Sequence, residues 1–335
     1  MVKPNLVETN DGESGNTTDK RVIGALVKMA IARGAKVTVG DSGGTRWHGA
    51  TDRAFQETGI RDYCEALGAE VLSFDKTNPT MVKIPDGRIL KEAYLASPAV
   101  ESGLIINAPK MKTHVLTKTT GSVKNLYGVV PGGLKSVYHK VGGNSVDFAS
   151  LLVDLYSVLR PGLNVMDGVV GLSGQWRLQD RIYPGVILAS TDGVAVDAVA
   201  ASLFGYNPMK VPTLAEAHRR GLGVADLGEI EISGQPLTPL IKAIAGKTKR
   251  LRVPSFGNTV GGWLLGRESP EVDTQICTAC GHCPKACPVG AVTVKDGRPV
   301  FDLEKCIRCF CCAELCPERA IRPTRGRVGN MIFKR

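Results

Sequence analysis

CTACGHCPKACPVGAV (277–292) and CIRCFCCAELCPERAI (306–321) decide how this chain is read. Nine of its ten cysteines fall between Cys277 and Cys316. Eight of them form two runs of one spacing: Cys277, Cys280, Cys283 and Cys287-Pro288, then Cys306, Cys309, Cys312 and Cys316-Pro317. Three thiols two residues apart can wrap one corner of a metal cluster from a single tight loop. The flanks repeat as well, CPVGAV answering CPERAI, which implies two halves related by pseudo-symmetry. Zinc also takes paired C-x-x-C thiols, but two matched runs with a proline after each fourth cysteine fit it poorly.

The full pattern, C-x-x-C-x-x-C-x-x-x-C-P, resembles that of two-cluster bacterial-type ferredoxins. The resemblance implies two [4Fe–4S] clusters with crossed ligands, the fourth cysteine of each run serving the other cluster. Cys277, Cys280, Cys283 and Cys316 would hold one cluster. Cys306, Cys309, Cys312 and Cys287 would hold the other. Cys311 is out of register and reads as a spare thiol; His282 reads as a solvated loop residue.

Outward from this stretch, 335 residues are enough for one substantial core and a small module. A hydrophobic content of 43% with 22% charged residues is that of a globular chain. No apolar run reaches the roughly 18–20 residues of a membrane span, and MVKPNLVETNDG at the start lacks a signal-peptide pattern. Thiols committed to clusters point to a reducing cytoplasm. Cys64, the one cysteine elsewhere, reads as a buried inert thiol. The net charge is +10, and residues 251–335 carry 13 Lys/Arg against 8 Asp/Glu. That surface suits an acidic electron carrier such as a ferredoxin or flavodoxin. Aromatics at 5%, with no basic stripe woven among them, argue against nucleic acid.

Residues 1–240 alternate short apolar strands with amphipathic helices, predicting a layered α/β domain with a mostly parallel sheet. Residues 241–269 read as a linker and 270–335 as a small ferredoxin-like α+β module. Strands are expected at 36–41, 69–74, 103–107, 163–166, 185–190 and 229–234. A single helix is expected at about 52–67, and a hairpin at 80–90. Thr18, Asn144 and Asp192 are expected to cap helices. Gly43-Gly44 is no phosphate-loop signature, and Asp41 at a strand end is the better polar candidate. Asp197, in an apolar helix, needs a partner, either a lysine or a metal.

PKMKTHVLTKTTGSVKNLYGVVPGGLKSVYHK (109–140) is the second focus. It holds six lysines and two of the five histidines, with no Asp or Glu. A donor-dense, acid-free loop after a buried strand suits an anionic ligand. Lys110, Lys112, Lys124 and Asn125 are the candidate anion-binding residues. His114, Tyr127 and His139 are candidate proton donors, with Asp167 orienting one of them.

KPNLV, PKMKTH, TGSVKNLYG, LKSVYH, NVMDGVVGLSG (164–174) and STDGVAVDAVA (190–200) resemble, in order, motifs of the domain of unknown function 362 (DUF362) family, over about residues 1–235. Gln175-Trp176-Arg177 stands where a Gly-Pro-like turn is expected. The resemblance implies an iron–sulfur-linked α/β protein and names no reaction. The reading is a ferredoxin-linked oxidoreductase acting on a small anionic substrate. The alternatives are an electron-transfer adaptor without a substrate, and a non-redox enzyme with structural or sensory clusters. A flavin or a further metal in the α/β domain is left open.

Overall fold

A computed structural model describes residues 1–7, 14–43, 49–174, 180–248, 269–314, 316–318 and 320–324. The chain divides into two compact units, Met1–Arg250 and Leu251–Arg335.

In the first unit β1 (Val2–Pro4), β2 (Thr38–Asp41), β3 (Glu70–Ser73), β6 (Ile106–Ala108) and β9 (Leu163–Leu172) lie parallel in the order β3-β2-β1-β6-β9. The chain steps outward from β1 to β2 and β3, then returns to the far side of β1 at β6. Such a reversal opens a crevice at the carboxyl ends of the central strands. α1 (Lys20–Ile31) buries Ile23, Leu26 and Val27, one stripe at helical spacing, against the sheet core of Val2, Val39 and Val71. α7 (Ser145–Leu159) packs with Leu126, Leu214 and Ala217 in a second core. α8 (Gly193–Leu203), apolar but for Asp197 and Ser202, is buried at every residue.

Several expectations shift. The 52–67 helix is two, α2 (Ala50–Glu57) and α3 (Ile60–Glu65), parted at Gly59, whose φ of 65° no helix interior accepts. The hairpin is wider than read: β4 (Pro79–Lys83) pairs with β5 (Glu92–Ala96). The cap of α1 is Asp19, which accepts from the Arg21 amide; Thr18 instead donates to Ala108 O at 2.7 Å. Residues 229–234 form no strand: Glu229, Glu231 and Ile232 are exposed, and Ile230 packs half-buried against the second core. The 163–166 strand runs on to Leu172, so Asp167 lies mid-strand rather than at its end. The reason is β7 (Lys110–His114), which continues from β6 past Pro109 and pairs with the later half of β9.

The expected boundary at 240 also moves. α10 (Leu237–Ala245) seats Leu237, Leu240, Ile241 and Ile244 beside Phe204 and Leu203 of the first unit. Ile244 is buried and the other three are half-buried, an apolar stripe that docks a helix where a linker was read. The remainder of the expected linker, with Trp263 and Leu264, lies outside the described residues, as do Gly44 and Gln175-Trp176-Arg177.

In the second unit β12 (Ser269–Val272) pairs antiparallel with β15 (Ile321–Thr324), and β13 (Val292–Lys295) with β14 (Arg298–Phe301). The β13–β14 turn has Asp296 at φ 49° and Gly297 at φ 71°, the two positive φ values of a tight hairpin turn.

Candidate functional site

The segment read as one loop, 109–140, is built mostly of regular elements. β7 pairs with β8 (Lys118–Thr120), and α5 (Ser122–Asn125) and α6 (Leu134–Gly142) follow. On β7 side chains alternate between faces, so Lys110, Lys112 and His114 share one, away from Met111 in the core. All three are buried.

Lys110 stands directly across from Asp167 on β9, and their side chains make an ion pair of 2.7 Å with both groups at 1% exposure or less. The Asp167 carboxylate also accepts from the amides of Asp19 (2.9 Å) and Val169 (3.1 Å). Burial pushes the Lys110 amine down, against the upward pull of Asp167. A second buried pair, Lys3–Asp41 at 2.9 Å, sits at the neighbouring strand ends, with burial lowering Lys3 and raising Asp41. It explains Gly128: a Cβ there would lie 2.1 Å from Asp41 Oδ1 and 2.5 Å from Lys3 Nζ.

Lys112 donates to Asn16 O at 3.1 Å and to Asn16 Oδ1 at 2.9 Å. Lysine can only donate, so the Asn16 amide is oriented with its Nδ2 turned away. Among the described residues that Nδ2, buried, has no hydrogen-bond partner, and neither has the buried hydroxyl of the next residue, Thr17. Buried polar groups are almost always satisfied, so these two stand out as exceptions. Nothing in the sequence singles them out; the signal is a tertiary contact with Lys112.

The other expected residues are engaged elsewhere. His114 Nδ1 accepts from the amides of Leu116 (3.1 Å) and Thr117 (3.3 Å), which holds the β7–β8 turn and puts the proton of a neutral ring on Nε2. Asn125 donates to Lys3 O and Pro4 O at 3.2 Å and to Asn107 Oδ1 at 2.7 Å. Asn107 in turn donates to Asn164 Oδ1 at 2.9 Å. This buried amide ladder ties α5 to β1, β6 and β9. Lys124 is half-buried on α5. Tyr127 donates to Lys135 O at 2.6 Å, and its ring packs edge-on against His139 and Phe148, which stack at 4.4 Å. The structure therefore gathers Lys110, Lys112 and Asp167 near Asn16, and places Tyr127 and His139 in an aromatic group of their own.

The acid-free segment receives its carboxylates from other elements. Asp167 reaches Lys110. Asp75 accepts from the amide of Gly132 at 2.8 Å. Asp197 of α8 accepts from the amides of Ser122 (2.5 Å) and Val123 (3.0 Å), so it caps α5 rather than pairing with a lysine. Burial pushes the Asp197 carboxyl up to about 7, the two amides opposing. Cys64 is fully buried and its thiol is pushed up to about 11 by desolvation.

In the second unit Cys277, Cys280, Cys283 and Cys316 line one cavity, bringing the fourth cysteine of the second run to the first three of the first. Burial pushes Cys283 up to about 11, with the charges of Cys316, Cys280 and Cys277 adding to the rise. Burial raises Cys312 well above its usual range, with Cys309, Cys306 and Cys287 adding most among the charges. Cys287 Sγ accepts from Ala291 N at 3.1 Å and Cys316 Sγ from Ala320 N at 3.3 Å, the same contact in each half. Ala279 and Arg308 (both φ 56°), and Gly281 (71°) and Phe310 (56°), take left-handed conformations at matching positions of the two loops. Backbone of this kind turns successive N–H groups into an anion-holding nest. Among the described residues, no three His, Cys, Asp or Glu groups converge as one metal ion requires.

Among the described residues, no helix is long and apolar enough to cross a membrane. A 4Fe-4S dicluster domain matches residues 269–317. A thylakoid-associated protein of Synechocystis sp. is 28% identical over 224 residues, covering 66% of this chain and 68% of the relative. A domain of unknown function (DUF362) matches residues 1–202, more than half of the chain, and the chain belongs to that family.

Proposed function

We propose that this protein is an iron–sulfur oxidoreductase whose α/β unit holds a small anionic substrate or cofactor, in a cytoplasmic setting. Cys277, Cys280, Cys283 and Cys316 hold one [4Fe–4S] cluster, and Cys287, Cys306, Cys309 and Cys312 a second. When bound, the clusters supply single electrons. A space ringed by thiols supports a multi-iron cluster over a zinc ion, whose ligands close to about 2.0–2.3 Å. Iron binding would displace the thiol protons.

The observation that carries the substrate reading is a pair of buried donors without acceptors among the described residues, Asn16 Nδ2, whose Oδ1 meets Lys112, and Oγ1 of the next residue, Thr17. A carboxylate or phosphate oxygen would satisfy both and draw on the lysine charge. Lys110 and Asp167 then position the strand, and His114 on the same face of β7 is the nearest candidate for proton transfer. Lys124 is a weaker anion contact, and Asn125 a scaffold residue. Tyr127 and His139 belong to the aromatic group and take no part in this site.

Thr17→Val tests the reading. Binding of inorganic phosphate and of small dicarboxylates is measured calorimetrically on the purified full chain. The substitution is expected to weaken binding about tenfold, the value of one lost charge-assisted hydrogen bond. Stability holds or rises, because the hydroxyl removed has no partner. Unchanged affinity for every anion that binds would sink the site. The internal pairing of Lys110 supports a second reading, an adaptor with no substrate, and absence of any anion binding would favour it.

A further inference from the structure

The two cysteine loops are matched in spacing but not in surroundings. Thr278, Ala279 and Cys280 of the first loop are exposed. At the matching places of the second, Ile307, Arg308 and Cys309 are half-buried, and Phe310, Cys311 and Cys312 are each only 7% exposed. The β13–β14 hairpin belongs to the first loop's cavity, which Val294, Pro299 and the turn residue Gly297 help to line.

At the tip of that hairpin Lys295 stands directly opposite Arg298. Like charges facing each other across a hairpin weaken it. Both side chains are exposed, and neither makes an ion pair with a described residue. Val300, two positions from Arg298 and so on the same face, is 43% exposed. With Asp296 between them in the turn, the tip keeps a net charge of +1, and that surplus beside an uncovered apolar residue suits an acidic partner. By contrast, the charges leading into and within the second loop cancel: Asp302, Glu304, Lys305 and Arg308, with Lys305 at 3.5 Å from Asp302.

We propose that the Lys295–Arg298 hairpin tip and the 278–282 loop form the docking face for an acidic one-electron carrier protein, which delivers its electron at the first thiol set. The proposal rests on the reading that Cys277, Cys280, Cys283 and Cys316 hold a cluster. The carrier gives up one electron and is oxidised by one; the thiol-held iron is reduced by one, and no proton moves. Opposite charges on the two faces raise the encounter rate and are screened by salt.

The test uses the full chain, purified anaerobically with its iron, and reduced flavodoxin as the carrier. Lys295→Glu/Arg298→Glu is expected to slow reduction by flavodoxin at low salt by about 10- to 100-fold. It should weaken binding of oxidised flavodoxin in parallel, with both effects shrinking at high salt. Reduction by dithionite, and the iron content, should be unchanged. Lys295→Gln/Arg298→Gln, which spares the fold from charge reversal, should show a smaller loss in the same direction. Lys305→Glu should change the flavodoxin rate less than either. A flavodoxin rate indifferent to the hairpin, or one more sensitive to Lys305, overturns the docking face, as does wild-type chain that binds no flavodoxin because another part of it covers the tip. Loss of iron from the wild type instead overturns the cluster reading itself, and the iron assay separates the two failures.

Discussion

The thiol module and the carboxyl edge of the α/β sheet hold their chemistry in opposite ways. In the module six of the eight proposed ligands come from two seven-residue loops, and spacing alone predicts their convergence. At the sheet edge the groups that meet come from far apart in the chain. Lys110 and Asp167 are separated by 57 positions, Ser122 and Asp197 by 75, and Lys112 and Asn16 by 96. Local spacing can specify a site only where the backbone between the ligands is a short loop. Elsewhere the sheet must form first.

Replacing a cysteine should break the comparison most strongly. Cys316→Ser and Cys277→Ser are expected to abolish the same electron paramagnetic resonance signal and to lose about half of the iron each, because both serve one cluster. Cys316→Ser that instead removes the signal lost in Cys306→Ser would show uncrossed ligation.

At the sheet edge the largest effect is expected from Lys110→Ala, which leaves the Asp167 carboxylate buried and unpaired. Breaking a buried pair from one side costs about 3–5 kcal/mol, read by chemical denaturation of the first unit. Lys110→Met/Asp167→Leu should recover much of that loss. If the single substitution cost under about 1 kcal/mol, as an exposed pair would, the pair would not be buried in solution.

A smaller effect, and a pH-dependent one, is expected at Asp197. Its folded carboxyl titrates near 7, above the ordinary carboxylate range. The folded state therefore retains a proton that the unfolded chain releases near 4. This contribution to stability is fully present below about pH 4 and is lost as pH rises toward 7. Asp197→Asn should flatten the stability profile across that window. It should also cost about 1–3 kcal/mol at low pH, since the amide turns a donor toward one of the two α5 amides. A profile as steep in the variant as in the parent would place the titration elsewhere.

How far the sequence could be read follows from the same contrast. The parallel sheet, the caps at Asn144 and Asp192, and the inert Cys64 were legible because period, cap chemistry and burial are local properties. Lys-Met-Lys-Thr-His was legible as a strand too, by its alternation, yet its charge suggested a loop. The charge misled because the carboxylate that pairs with Lys110 lies far along the chain on β9, and Lys112 is met by Asn16. Asn125, His114 and Tyr127 have the residue types of a site but serve as a strand tie, a turn lock and a core ring. Asn16 and Thr17 look like turn residues.

What the sequence determined by itself is the thiol spacing, the pseudo-repeat and the alternation that builds a layered sheet, since each is set by neighbours a few residues apart. The tertiary structure alone decided which carboxylate meets which lysine, that Asp197 caps a helix, that Asn16 meets Lys112, and that one cysteine loop is more exposed than its twin. Those depend on register between strands and on burial, and both arise only when distant segments pack and exclude water.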